Sequence, residues 1–252
     1  MVKIFSLPSF GKPRSSPNQK LHRGQAEPLF SLWVAFTGIL LFAGFLLYQK
    51  GIWASLLGAD PTYLTALIIF LFVCSTAWVG FRVNSLTHEC EQFVIFENLL
   101  LTNPSAAKDW LSQESQSWAH DFFRGLQSKG AHWRESGQLI DLLGEKAAGP
   151  QEMVWWINGA LLKLGLLGKV IGFSIMALQL GAMDSFDAGQ TSAVLKTLTG
   201  GLGIALLTTM TGLAANILLG IQLMRVDRFA DYLTAKAIKI SEVDLQIIMG
   251  RE

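Results

Sequence analysis

Two lysines interrupt the apolar run from Val154 to Met183, which is long enough to cross a bilayer. Lys163 lies just inside Trp155 and Trp156 and can snorkel to the interface. Lys169 sits too deep for that, and an ammonium there costs roughly 2.5 to 3.5 kcal/mol on insertion scales unless it meets water or an anion. At that depth it has no plain structural use and calls for a water-filled cavity or a partner group. Gly165, Gly168 and Gly172 ring it, and Gly168 and Gly172 form a small-xxx-small pair that lets another backbone approach. On the last apolar run Thr209, Gly212 and Asn216 share one helix face, beside Thr208 and Thr211. Turned toward Gly165, Lys169, Gly172 and Met176, that face makes a polar, close-packed strip. Each threonine has a plainer use, a hydroxyl bond to its own helix carbonyls. Asn216 has one too, an interhelical hydrogen bond.

No other chemistry is spelled out. Cys74 and Cys90 have no metal-ligand spacing, and His22, His88, His120 and His132 form no paired pattern. Glu114, His120, Asp121, His132 and Glu135 share a polar segment, but no nucleophile and base are suitably spaced there. They read as the solvated face of packed helices, with Asp121 and Arg124 an ordinary helix-surface pair. Gly200-Gly201-Leu202-Gly203 lacks the preceding strand and the further glycine of a dinucleotide loop. The reading therefore includes no enzyme activity, cofactor, metal or nucleic-acid partner.

The elements that position the strip follow from composition. Of 252 residues 51% are hydrophobic and 15% charged, a membrane profile, and the net charge of +1 gives no reason to expect nucleic acid. Residues 1–29 read as a flexible basic cytoplasmic tail with no apolar signal core. Phe30–Tyr48 and Thr62–Phe81 are uncharged spans forming a hairpin (30–81), with Asp60 capping the second and Pro61 in its first turn. Apolar residues from Val83 to Leu100 keep helical spacing, so the second helix continues to about Leu101, roughly 60 Å at 1.5 Å per residue. Thr102-Asn103-Pro104 stops it and starts another. One amphipathic helix is expected around Trp110–Leu126 and a second around Trp133–Leu143, with Gly149-Pro150 closing a helical domain at 82–153. Residues 154–224 hold the third and fourth spans, and 225–252 prolong the last as an amphipathic helix. Five Lys or Arg before Phe30 and five after Met224, against one in each of the loops 49–61 and 184–200, put both termini and 82–153 inside. The expected fold is an all-α membrane protein with four transmembrane helices and helical cytoplasmic extensions. Its polar strip cannot face lipid unpaired, which predicts a closed ring of copies.

Gly165-Leu166-Leu167-Gly168-Lys169-Val170 resembles the G-L-L-G-T-V signature of the MotA/TolQ/ExbB proton-channel family. Ala205-Leu206-Leu207-Thr208-Thr209-Met210-Thr211-Gly212-Leu213 resembles that family's A-L-x-x-T-x-x-G-L on its last membrane helix. Together they cover residues 150–225; elsewhere only the layout is similar. The resemblance implies a homopentamer in a bacterial inner membrane, surrounding the single helices of two MotB- or ExbD-like partners. Ions, in this case protons, would cross by way of a partner aspartate and turn the ring. By motif position Thr209 falls on the pore threonine of the last helix, and Lys169 on that of the preceding one. Leu162 and Leu218 stand where the family commonly has prolines, and Ile204 where ExbB-type members carry glutamate. A cation at 169 disfavours sodium, which needs several oxygen ligands. It leaves either a neutral lysine or one paired with the partner's carboxylate as a latch, and pairing is favoured because an unpaired ammonium is costlier. The alternative to an ion-driven subunit is a non-conducting scaffold of the same architecture.

Overall fold

A computed structural model of the chain describes residues 28–60, 62–113, 115, 117–129, 137–181 and 191–244. The basic tail up to residue 27, Pro61, Glu114, Trp133, Glu135, His22, His132, the 182–190 connection and residues 245–252 lie outside it.

The described chain is all-helical. The order is α1 (Pro28–Gln49), α2 (Ile52–Ala59), α3 (Leu64–Thr102), α4 (Pro104–Ser112), α5 (Trp118–Lys129), α6 (Gly137–Gly181) and α7 (Thr191–Lys239), closed by a π-helical turn, Ile240–Asp244. Among them α1, α3, α6 and α7 are each long and apolar enough to cross a membrane. Their outer faces carry Phe42, Phe70, Phe81, Val170, Leu178, Leu206 and Ile217 in the open, a surface that water would not tolerate over such an extent. This is a multi-pass membrane protein.

The second span does run on as expected, in one 39-residue helix, α3. Asp60 organises its start: the carboxylate accepts from the backbone N–H and hydroxyl of both Thr62 and Thr65. Asn103 ends α3 in extended backbone and accepts from the N–H of Ala106, capping α4, whose first turn contains Pro104.

Ends shift in three places, with α2 inside the expected 49–61 loop, α3 starting at Leu64 rather than Thr62, and α7 starting at Thr191 inside the expected 184–200 loop; two further boundaries differ from expectation. The helix anticipated around Trp110–Leu126 is two, α4 and α5, divided before Ser117. Glu89, buried on α3, holds the division in place: its carboxylate accepts from the Ser117 hydroxyl and the Ala119 N–H at the start of α5. The second difference is Pro150, which does not end a helix but lies inside α6. Proline has no N–H for the carbonyl four residues back, which is that of Lys146. Arg82 supplies the missing donor, its Nη2 lying 2.7 Å from Lys146 O and 2.8 Å from Ala147 O. The helical domain and the third span therefore share one unbroken helix.

Beyond the spans, α3, α5, α6 and α7 close a core around Phe93, Phe96, Phe123, Leu143 and Leu233. Phe123 sits between Phe93 (5.3 Å, edge-on) and Phe96 (4.0 Å, stacked). Lys236 and Glu97 form a buried ion pair in this region, 3.1 Å apart.

Candidate functional site

The strip is a seam between α6 and α7. A methyl placed on Gly212 falls 2.9 Å from Gly165 Cα and 2.9 Å from Leu161 O; one on Gly172 falls 2.9 Å from Ala205 N and 3.0 Å from Gly201 O. Two backbones meet so closely because a glycine stands on at least one side of each contact. Gly168 faces Thr208, whose Cβ would lie 2.6 Å from an added methyl, and Gly201 faces Met176. Every position of the small-residue pattern is thus used for contact.

The hydroxyls and the amide serve the same seam. Thr208 is fully buried and donates to Ile204 O at 2.9 Å. Thr209 donates to Ala205 O at 2.7 Å and reaches across to Gly165 O at 3.2 Å. Thr211 donates to Leu207 O. Asn216 crosses the seam, its Nδ2 lying 2.8 Å from Asn158 O. Thr208, Thr209, Gly212 and Asn216 are therefore brought together with Gly165, Gly168 and Gly172.

Lys169 is not brought with them. At roughly 100° per residue it stands on the flank of the face that Gly165, Gly168 and Gly172 present, and its side chain is exposed. Its Nζ lies 6.0 Å from the centre of the Phe173 ring, and no carboxylate reaches it among the described residues. Lys163 is exposed as well. Sequence spacing alone placed residues 165, 169, 172 and 176 on one face; the glycines and Met176 are on it and the lysine borders it.

Several polar contacts were not foreseen. Asp121 pairs with Lys146, at 3.6 Å, rather than with Arg124. Trp155 Nε1 donates to Asp227 at 2.7 Å, tying the two helices where the seam leaves the apolar zone. Burial raises the Asp227 carboxyl above its ordinary pKa, the Trp155 bond opposes this, and Asp231 adds to it. Gln222, buried on α7, donates to Thr76 on α3. One signal was available: Lys236 falls in step with Phe229, Leu233 and Ile240, and a lysine on an apolar face implies a buried anion. No group of three or more metal-ligating side chains occurs among the described residues.

No family model, curated protein or solved structure matches this chain.

Proposed function

We propose that the chain is the ring-forming subunit of an ion-driven, energy-transducing membrane complex, a homopentamer around a dimeric single-span partner that carries a membrane aspartate. The driving ion is the proton, and the setting is a bacterial inner membrane with both termini inside. The observation that carries the reading is Lys169, an exposed ammonium on a membrane-length helix without an anion in its own chain among the described residues. Its cost is removed by a carboxylate from outside the chain. The seam supports the same reading, because the segments that resemble the family's two motifs are the ones packed on each other, Gly165 on Gly212 and Gly168 on Thr208.

A second reading has an observation of its own. Thr208, Thr209 and Asn216 all spend their donors on carbonyls within the seam, which favours a ring scaffold that does not conduct. In the conducting version the path runs outside the seam, past Lys169, and the threonines hold the wall. Native mass spectrometry of protein extracted in mild detergent tests the assembly. Five copies, with single-span chains retained, are expected; a population of mainly monomer overturns both readings.

A further inference from the structure

Two cavities lie along the inner side of α1 and meet at Trp33. The larger, about 710 Å³, is a half-open groove lined by α1, Trp53 of α2, α3 and α7, and its walls are almost wholly apolar. The smaller, about 260 Å³, sits at the end from which α3 and α7 leave the apolar zone, and Arg225 stands at its rim. Trp33 is fixed between them, its ring seated on Gly80 where even a methyl would overlap it. Three buried polar atoms on these walls have no partner among the described residues: Trp33 Nε1, Thr37 Oγ1 and Gln222 Oε1. Gln222 is 5% exposed, so its free oxygen is not reached by bulk water. Arg225 makes no ion pair among the described residues, and Asp227, the nearest acid along α7, is turned to Trp155.

An apolar slot with donors partway along it and a cation at the end has the chemistry of a lipid site. We infer that a glycerophospholipid with an anionic headgroup occupies this slot. One acyl chain fills the larger cavity and the ester carbonyls accept from Trp33 Nε1 and Thr37. The phosphate lies at Arg225, and a headgroup hydroxyl donates to Gln222. The lipid completes the packing of α1, which is the most exposed of the four spans. The inference depends only on the chain spanning a membrane, not on its conducting ions.

The test uses the full chain in nanodiscs of equal phosphatidylcholine and phosphatidylglycerol, re-extracted and washed, with retained lipid quantified by mass spectrometry. The wild type is expected to hold phosphatidylglycerol over phosphatidylcholine about tenfold, which equals about 1.4 kcal/mol. Arg225→Gln should return the ratio to that of the bilayer while some lipid stays bound, and Arg228→Gln should leave the preference intact. Filling the larger cavity with Ala77→Phe and Ala214→Phe should remove the retained lipid of either kind without changing the oligomer. Retention at the bulk ratio in the wild type overturns the inference. So does a filled-cavity variant that keeps its lipid, or one that loses subunits instead, which would place a protein surface in the slot. Should the filled variant aggregate on size exclusion, the Arg225→Gln and Arg228→Gln pair decides alone.

Discussion

Arg82 and Pro150 act on one carbonyl, and each explains the other. Without Pro150, Lys146 O has its own helical donor; without Arg82, that oxygen loses its charged donor beside a proline. Arg82→Ala should therefore destabilise the protein by about 1.5 to 3 kcal/mol, the range for hydrogen bonds to charged groups, while in a Pro150→Ala background the same change should cost clearly less. Unfolding in mixed micelles, run as a double-mutant cycle, measures this. Equal costs in both backgrounds would refute the pairing. Asp60 gives a prediction in pH. Burial alone would raise its carboxyl pKa, but the hydrogen bonds from Thr62 and Thr65 outweigh burial and hold it below the ordinary 3.8. A depressed folded value means that the stability it adds is present above the unfolded pKa and is lost as pH falls through the folded one. The stability gap between wild type and Asp60→Asn should be full at neutral pH and shrink below about pH 3.8; a gap that widens in acid would contradict the assignment.

Among the elements, the α6–α7 seam sets the geometry, and its glycines are unequal to glycines elsewhere. Gly212→Ala drives a methyl into the facing backbone and should cost about 1 to 3 kcal/mol, the usual range for overpacking. Gly38 on α1 has nothing within 4 Å of an added methyl, so Gly38→Ala should be neutral or slightly stabilising through helix propensity. Thermal stability of the two variants separates contact from propensity, and equal losses would mean that the seam is not close-packed. The seam was legible because small residues at helical spacing have few other uses in a membrane. The four spans were legible because runs of about 20 uncharged residues have few alternatives. Asn103-Pro104 was legible because a cap and a proline act locally. Pro150 was not, since what preserves the helix there is an arginine distant in sequence. The division between α4 and α5 was hidden for the same reason, as it depends on Glu89. Lys169 was placed by helical period and by motif position, whereas the face that its helix presents is chosen by the glycines.

At the scale of the whole molecule, a single chain leaves two things unfinished. Its outer membrane faces are largely apolar, which lipid or further copies can cover. Its deep ammonium has no anion among the described residues, and lipid tails cannot supply one. The proposed ring around a carboxylate-bearing partner would complete both, and in it Lys169 would act as a latch that holds the partner's carboxylate ionised until the ring advances. The most direct test is proton flux in liposomes containing this chain with and without any single-span subunit that co-purifies with it. Flux is expected only with the partner present. Lys169→Thr should change its rate while leaving the oligomer intact, and Lys163→Thr should do little. No flux from either wild type or Lys169→Thr in an intact complex would contradict the conducting account and leave the scaffold; equal flux and equal partner binding in both would remove Lys169 from the ion path.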